Sequence, residues 1–477
     1  MILGLHLLST KLTKPISFNE ALDQFERMEQ ELDLPGWQIN GVYIWKLLRF
    51  NLFQQFRMFH GLSNVAHPEA ERLRKTKGQQ VREFPRQFLK RNPFRSSRSR
   101  TDRIIIASSR KRWMAGRLVD PISARAWVGN DEARSLVLDR TSPLDPVPLP
   151  KASDYAVMAK LGWIAQQFVR VSVNRSDWIR MCSIHQKLGI DWVTDGQPFD
   201  ERILWTVRAF VGLKAVFHAL LWKTRPKALY VVCGYGREAP IAAAHELGIP
   251  VAEFQHGTMD RGHLGYDYRG WEQVPYFADY LLSWGEAWHR DSTLPPHCTQ
   301  YPVGAPHIET SMRLEGQGNV RCEKRLLVIS QAPVAKELME VVIEFARLRP
   351  DWEIVVRPHP SESVSMINTY LQSFDSNIGG NIQVDKESSL AQACSQASVV
   401  LGVFSTALVE SLLAGCKVLL LRLPASEPCF QPLLDDGEAR AVQSGEELAD
   451  CIDTLPHGSA RSYFAEPVED VGRLVER

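Results

Sequence analysis

Short apolar runs alternate with amphipathic helical segments along most of the chain after residue 102. In the first half, runs typical of buried strands span 103–109, 135–140, 228–234, 251–257 and 280–285. In the second half, such runs span 325–331, 351–360, 381–387, 398–405 and 417–423, with helical segments between them. Alternation at this spacing predicts an α/β fold with doubly wound parallel sheets.

Two helices are predicted before residue 62. The first has Phe18, Leu22, Phe25 and Met28 at spacings of three to four. The second, over 41–59, carries a broad aromatic face interrupted by basic residues. That face comprises Trp45, Leu48, Leu52, Phe53, Phe56 and Phe59, and the basic residues are Lys46, Arg49 and Arg57. We favour packing of this helix on the following domain, with a membrane-surface or partner-binding helix as the alternative.

The length of 477 residues exceeds one comfortable core, so two core domains are expected. We predict a helical, basic N-terminal extension over 1–100, a Rossmann-like domain over 101–305 and a second over 306–477. The turn-rich stretch near 301–306 is interpreted as the linker between the domains. The last segment is expected to pack back on the first domain.

Composition limits the classes of function. The formal net charge is +1, which gives no global reason to expect nucleic-acid binding. Basic residues dominate 72–112, a run that either contacts anionic lipid headgroups or forms a solvated linker. The eight scattered cysteines show no metal-ligand spacing and fit a reducing compartment.

Neither a cleaved signal nor a transmembrane helix is expected. Residues 1–10 are apolar but short and lack a basic leading region. The apolar stretch 204–222 is interrupted by Arg208, Lys214 and His218. We therefore expect a cytoplasmic protein that contacts the inner face of a bacterial membrane only peripherally, if the basic region binds lipid.

A ligand site is predicted where the strand at 398–405 meets its helix. Ser405 and Thr406 lie at the helix start, where free N–H groups favour a phosphate. Glu410, one turn on, is placed to bind ribose hydroxyls. The alternative is that Ser405 and Thr406 only cap the helix.

Two further strand ends support this site. Arg357 and His359 lie at the end of the strand segment 351–360, and the prolines at 358 and 360 stiffen their loop. Ser330 and Gln331 end the preceding strand. Because ligands bind at the carboxyl edge of open α/β sheets, the three ends predict one phosphate or nucleotide site.

The first domain carries candidates for chemistry. Glu238 and His256 follow consecutive strands and are expected at the same sheet edge, as acid/base or nucleophile partners. Asp260 begins a polar loop over 258–268 and is a second candidate carboxylate. The sequence leaves Glu238 and Asp260 as alternatives, and no acidic motif at a strand end indicates a metal.

The segments Gln255–Gly257, Arg357–Pro360 and Phe404–Thr406 with Glu410 resemble motifs of GT-B glycosyltransferases of bacterial surface-polysaccharide assembly. The last two also resemble those of transferases that use CMP-linked Kdo or sialic acid, and the set resembles that of CDP-glycerol polyol-phosphate transferases. The resemblance implies that His359, Ser405 and Thr406 bind the donor phosphate, that Glu410 holds ribose, and that His256 acts at the sugar. It implies a nucleotide-sugar substrate and no cofactor.

From this resemblance we expect metal-independent transfer of Kdo, sialic acid or a related acid sugar from a CMP donor. The acceptor would be a lipopolysaccharide O-antigen or a capsule glycan. The alternatives are a nucleotide-sugar 2-epimerase, a CDP-glycerol-type polyol-phosphate transferase and a non-catalytic assembly scaffold. Whether the sugar is transferred with inversion or retention is left open with the choice of carboxylate.

Overall fold

The computed structural model describes residues 16–62, 91–96, 101–108, 111–114, 117–127, 134–139, 152–188, 198–374, 380–423 and 429–476. Two parallel β-sheets form the two halves of the protein. The strands of the first are β3 (Arg103–Ile106), β6 (Ser135–Asp139), β7 (Ala152–Asp154), β8 (Ala228–Val232), β9 (Val251–Phe254), β10 (Tyr280–Ser283) and β11 (Thr299–Pro302). Those of the second are β12 (Cys322–Ile329), β13 (Glu353–Arg357), β14 (Ile382–Val384), β15 (Ala397–Gly402), β16 (Lys417–Leu421) and β17 (Ala439–Val442).

The helices and small hairpins complete the fold. The helices are α1 (Phe18–Glu31), α2 (Ile44–Phe59), α3 (Pro93–Ser96), α4 (Tyr155–Gln166), α5 (Arg175–Leu188), α6 (Phe199–Thr224), α7 (Glu238–Glu246), α8 (Pro306–Glu315), α9 (Ala335–Leu348), α10 (Val364–Phe374), α11 (Leu390–Gln396), α12 (Thr406–Leu413), α13 (Gln431–Asp435), α14 (Gly445–Cys451) and α15 (Gly472–Val475). Two antiparallel hairpins pair β1 (Gln38–Ile39) with β2 (Val42–Tyr43) and β4 (Arg112–Met114) with β5 (Arg117–Val119).

Both sheets are doubly wound. The order in the first is β11-β10-β9-β8-β3-β6-β7, and in the second it is β14-β13-β12-β15-β16-β17. In each sheet the chain starts at a central strand, winds outward to one side and then crosses to the other side. Such a reversal leaves a crevice at the carboxyl edge, between β3 and β8 in the first sheet and between β12 and β15 in the second. The predicted class, α/β with two Rossmann-like domains, is confirmed.

The N-terminal helices belong to the core of the first domain. Apart from Phe59, which is 44% exposed at the end of the helix, the aromatic face of α2 is buried against α1 and the loop after β9, with Trp45 and Phe53 fully inaccessible. The basic residues of α2 are buried as well, because they pair inside the domain: Arg49 bonds to Glu29 at 2.6 Å. The membrane-surface alternative for α2 is therefore wrong, since that alternative requires an exposed aromatic face.

The end of the chain returns to the first domain. Residues 459–468 pass along the β10 and β11 ends, where the Ala465 N–H donates to Trp284 O at 2.7 Å. Glu476, just after α15, forms an ion pair with Arg103 on β3 and accepts from the Tyr230 hydroxyl at 2.8 Å. A side-chain bridge between Arg290 and Asp436 also joins the domains. The two sheets are thus linked by the tail as well as by the segment before α8.

Helix α6 is, by length and composition alone, able to cross a bilayer, in contrast to our expectation from its three polar residues. A third of its most apolar window is buried within the protein. Phe217, Leu220 and Leu221 near its end pack against the first sheet. This half of α6 is therefore part of the domain core.

Local patterns placed most strands correctly but missed elements with weak periodicity. The strand predicted over 135–140 is β6, and the helix predicted over 406–416 is α12, which ends at Leu413. Strands β7, β11 and β17 were not predicted, because their segments ASD, TQYP and ARAV contain no run of large apolar residues. The stretch 301–306 is not all linker, because β11 ends at Pro302 and α8 begins at Pro306. The signal-peptide prediction for 1–10 and most of the basic run 72–112 lie outside the described residues.

Candidate functional site

The three predicted strand ends of the second sheet lie side by side. Strand β12 pairs with β13 on one side and with β15 on the other. Ser330 and Gln331 follow β12, and the Gln331 side-chain oxygen accepts from the Phe404 N–H at 3.2 Å, after β15. This bond spans the crevice between β12 and β15. The structure therefore brings Ser330, Gln331, His359 and Ser405 to one carboxyl edge.

A buried carboxylate holds the His359 loop. Glu362 is 1% exposed, and its two oxygens accept from the His359 N–H at 2.6 Å and from the Ser330 hydroxyl at 3.0 Å. Burial raises the pKa of Glu362. The ring of His359 is exposed, and its Nδ1 accepts from the Ser361 N–H at 3.2 Å. That bond assigns the neutral-ring proton to Nε2, so His359 presents a donor suited to a phosphate oxygen.

Ser405 is the N-cap of α12. Its hydroxyl accepts from the Ala407 N–H at 3.3 Å, as the capping alternative requires. Thr406 donates its hydroxyl to Glu410 at 3.1 Å. The helix start remains a place where N–H groups and the dipole favour an anion. Capping by Ser405 and anion binding by the same turn are compatible, because Ser405 accepts from the N–H groups of Ala407 and Leu408 and not from that of Thr406.

Two arginines follow strands of the second sheet. The Arg357 guanidinium bonds to the Ser388 carbonyl, so it braces the end of β13. Arg422 follows β16, donates to Cys429 O at 3.0 Å, and has Nη2 buried without a hydrogen-bond partner among the described residues. Burial lowers the pKa of Arg422, and Asp260 of the first domain opposes this effect. Arg422 is thus the cationic group that this edge directs toward the first domain.

The first-sheet edge centres on a hydrogen-bonded chain from His256 to a buried carboxylate. His256 Nδ1 lies 3.3 Å from the Tyr266 hydroxyl, which donates to Glu253 Oε1 at 2.5 Å. His256 Nε2 lies 3.0 Å from the Tyr235 hydroxyl. Because Tyr266 gives its proton to Glu253, its oxygen accepts the Nδ1 proton of His256. The Nε2 lone pair is then directed toward Tyr235, on the edge of the sheet.

Glu253 is the carboxylate of this chain, and the sequence analysis did not select it. It is fully buried on β9, accepts from the Gly234 N–H at 2.6 Å, and has Oε2 without a hydrogen-bond partner among the described residues. Burial raises the pKa of Glu253 to about 7, against the lowering effect of the Tyr266 and Gly234 bonds. Gly234 is required here, because a Cβ at this position would lie 2.2 Å from Glu253 Oε2.

The two predicted carboxylates occupy other positions. Glu238 accepts from the Gly236 N–H at 3.0 Å and lies 3.9 Å from Lys46 Nζ, so it stabilises the turn before α7. Asp260 is 6% exposed, accepts from the Gly262 N–H at 3.1 Å and neighbours Arg422. The hydrogen bond of His256 with Tyr266 leads instead to Glu253.

The loop over 258–268 is largely buried under α2, although it is rich in polar residues. Arg49 donates to the Leu264 carbonyl at 3.0 Å and to the Asp267 carbonyl. The His263 ring stacks on Phe50 with centroids 4.9 Å apart. Helix α2 therefore fixes the loop that carries Tyr266.

No metal centre is evident in the part of the chain that the structure describes: no group of three or more His, Cys, Asp or Glu side chains is placed to hold an ion.

Among known proteins, the chain is similar in fold to several solved structures. The UDP-GlcNAc 2-epimerase of Methanocaldococcus jannaschii, in complex with UDP-GlcNAc and UDP, is 12% identical at a TM-score of 0.44, over 78% of this chain and 98% of that chain. MurG of Acinetobacter baumannii is 15% identical at a TM-score of 0.41, over 74% and 90%. The pneumococcal O-GlcNAc transferase GtfA, with UDP and GlcNAc, is 14% identical at a TM-score of 0.33, over 50% and 53%.

No family model matches the chain. No curated protein matches it either.

Sequence reasoning missed Glu253, Glu362 and Arg422. Glu253 had a readable signal, since a charged residue inside an otherwise apolar strand is rarely buried without a partner. Arg422 had one too, because it follows a buried strand just as Arg357 does. Glu362 offered no such signal, because only the folded loop brings it to Ser330.

Proposed function

We propose that this protein is a glycosyltransferase that binds a nucleotide-sugar between its two carboxyl edges. The observation that carries the proposal is that one molecule combines two carboxyl edges with different chemistry, one from each sheet. One offers donors for an anion at the β12–β15 crevice, and the other offers a histidine oriented by a buried carboxylate. Burial of Glu253 costs free energy when its carboxylate is ionised. A non-catalytic scaffold would gain nothing from a residue with that cost.

The second domain would bind the nucleotide. The His359 Nε2–H and the N–H groups of the first turn of α12 are donors that suit phosphate oxygens. Arg422 adds a positive charge toward the first domain, where a sugar carboxylate or phosphate would lie. Glu410, held by Thr406 at 3.1 Å, would bind ribose hydroxyls.

The first domain would supply the base. With Nδ1–H donated to Tyr266, the Nε2 lone pair of His256 can accept the proton of an acceptor hydroxyl. The Tyr235 hydroxyl, now 3.0 Å from Nε2, would be displaced by that acceptor. Glu253 would act through Tyr266 and stabilise the charged imidazole, so it is a positioning residue.

For the donor we propose a CMP-linked acid sugar such as Kdo or sialic acid, on the basis of the His359 and Ser405–Thr406 motifs. The acceptor would be a lipopolysaccharide or capsule glycan. Arg422 supports an acidic donor, because a half-buried guanidinium whose Nη2 has no hydrogen-bond partner among the described residues gains most from a carboxylate or phosphate.

A panel of nucleotides tests donor binding. CMP, CDP, UDP and GDP are added to the full chain, and the melting temperature is measured. A nucleotide at one hundred times its dissociation constant adds about 2.7 kcal/mol to the free energy of unfolding. We expect stabilisation by CMP, which His359→Ala abolishes and His457→Ala, a change outside the site, leaves unchanged. Stabilisation by UDP but not CMP would overturn the CMP preference.

A second experiment separates transfer from epimerisation. The protein is incubated with CMP-linked and UDP-linked sugars, with and without a glycan acceptor, and the sugar is followed by NMR. We expect nucleotide release that increases with acceptor. Conversion of a UDP-linked sugar to its 2-epimer, with no acceptor needed, would assign the epimerase instead. Unchanged sugars in every mixture, together with no stabilisation by any nucleotide, would assign the scaffold.

A further inference from the structure

Large apolar side chains are exposed together at one end of the first domain. They lie on α4, α5, α6 and the loop after α4, and we call them the aromatic patch. The aromatic patch consists of Trp163, Ile164, Phe168, Trp178, Ile179 and Trp205. Four of them are more than half exposed: Trp163 at 62%, Phe168 at 82%, Ile179 at 59% and Trp205 at 51%. Tryptophan is rarely so accessible on a surface that contacts only water.

The elements that carry the aromatic patch adjoin one another. Helices α4 and α6 approach closely, because a Cβ on Gly212 would lie 2.7 Å from the Gly162 carbonyl oxygen. Trp205 and Arg208 on α6 line a cavity of about 530 Å³ together with residues 166, 167 and 169–171. Residues 167–174 then lead directly into α5, which begins at Arg175. The aromatic patch is therefore a surface shared by neighbouring elements.

Positive charge accompanies the aromatic patch. Arg170, Arg175 and Arg208 are exposed beside it. Between residues 155 and 188 the one acidic residue is Asp177, which is buried and accepts from the Trp37 Nε1–H at 2.9 Å. Glu201, at the start of α6, is an exposed acid nearby. The exposed charge next to the aromatic side chains is thus mainly basic.

We propose that the aromatic patch docks on an anionic lipid bilayer. Tryptophan rings favour the boundary between headgroups and acyl chains, because one part of the ring is apolar and the N–H needs a polar partner. Exposed arginines beside such rings attract anionic headgroups, and apolar side chains inserted by a few ångströms provide the rest of the affinity. The first domain would then lie on the membrane through α4, α5 and α6, and its N-terminal helix α2 would play no part.

Flotation of the full chain with lipid vesicles tests this surface. Vesicles of phosphatidylcholine alone and of phosphatidylcholine with 30% phosphatidylglycerol are compared at low and high salt. The apolar variant is Trp163→Gln, Phe168→Gln, Trp205→Gln. The matched control is Leu314→Gln, Val320→Gln, Leu348→Gln, which removes three exposed apolar side chains of the second domain. The charge variant is Arg170→Gln, Arg175→Gln, Arg208→Gln.

We expect the wild type to bind anionic vesicles at low salt and to bind the neutral vesicles at least tenfold more weakly. The apolar variant should lose binding to anionic vesicles at least tenfold, the matched control should bind like the wild type, and the charge variant should lose the preference for anionic lipid. All changed positions are exposed, so melting temperatures should agree with that of the wild type. Equal binding by the apolar variant and the wild type overturns the proposal. So does a wild type that ignores vesicles but forms a dimer that the apolar variant lacks, because the occupant is then a second copy of the chain.

Discussion

The contacts that hold the two carboxyl edges differ in how far apart the bonded residues lie in the sequence. At the second edge, His359 is fixed by Ser361 and Glu362, and Ser405 by Ala407, all within three residues. At the first edge, the loop that carries Tyr266 is held by Arg49, which precedes Leu264 by 215 positions. The second edge is thus held by local turns together with the Ser330–Glu362 and Gln331–Phe404 bonds inside the second domain, whereas the first depends on a helix from the other end of its domain.

The difference extends to charge. The first edge buries Glu253 beside Tyr266, and Lys46 of α2 lies near enough to lower the pKa of Glu253. The second edge presents N–H groups, an exposed imidazole and Arg422. Buried ionisable chains are sensitive to pH and to the loss of one member, whereas N–H donors are not. The first edge should therefore be the one whose variants lose catalysis, and the second the one whose variants lose nucleotide affinity.

The largest expected effect comes from His256→Gln. Loss of the base should lower kcat for sugar transfer by about 10²–10⁴-fold, because that is what a positioned general base contributes. Stabilisation by nucleotide should be unchanged, as measured by melting temperature. His359→Gln should behave in the opposite way, with weaker nucleotide binding and a smaller change in kcat. Equal loss of nucleotide binding in both variants would remove the division between the edges.

Arg49→Leu should destabilise the protein by about 3–5 kcal/mol, the cost of leaving a buried charge without its partner. Glu29 would keep its carboxylate in the core, and the Leu264 and Asp267 carbonyls would lose their donor. Urea unfolding gives the free energy, and hydrogen exchange of residues 260–268 reports the loop.

Arg57→Leu is the control for Arg49→Leu. Arg57 is also buried on α2, and its guanidinium lies over the rings of Phe18 and Phe53. It should cost less and leave exchange at 260–268 unchanged. Equal exchange in the two variants would show that α2 does not hold the loop.

Glu253→Gln should change how stability depends on pH. The pKa of Glu253 is about 7 in the folded protein against 4.5 for an ordinary glutamate. Between these values the folded state keeps a proton that the unfolded state releases, so the free energy of unfolding falls as the pH rises. The fall amounts to about 3 kcal/mol for such a shift. Urea unfolding at pH 4.5, 6 and 8 should therefore show a smaller fall for Glu253→Gln than for the wild type.

Glu201→Gln, an exposed change on α6, controls for the loss of one negative charge. It should retain the fall in stability seen in the wild type. Glu253→Gln should also lower kcat about tenfold without altering nucleotide stabilisation, because it acts through Tyr266. If Glu253→Gln shows the same fall in the free energy of unfolding between pH 4.5 and 8 as the wild type, Glu253 does not titrate in this range.

This difference in sequence separation also explains which parts of the two edges could be predicted from the sequence. Strand ends and helix starts are local, so His359, Ser405 and the second sheet could be located from their own segments. The first edge could be located only in part. The sequence placed His256 and Glu238 at this edge, but it did not indicate Glu253, the buried partner of His256, because Glu253 lies inside an apolar strand. The sequence also predicted the aromatic face of α2. It could not predict which elements bury that face, because α1 and the 258–268 loop reach it only through tertiary contacts.

The smallest expected effect separates capping from ligand binding at the second edge. Ser405→Ala and Ser444→Ala each remove an N-cap hydroxyl, from α12 and α14, and each should cost about 1 kcal/mol of stability. Only Ser405 adjoins the β12–β15 crevice, so only Ser405→Ala should also weaken nucleotide binding, by about fivefold for one neutral hydrogen bond. Calorimetric titration with CMP measures the affinity, and urea unfolding measures the cap. If both variants bind nucleotide equally well, Ser405 serves α12 alone, and the anion donors of this edge reduce to His359, the free N–H groups of α12 and Arg422.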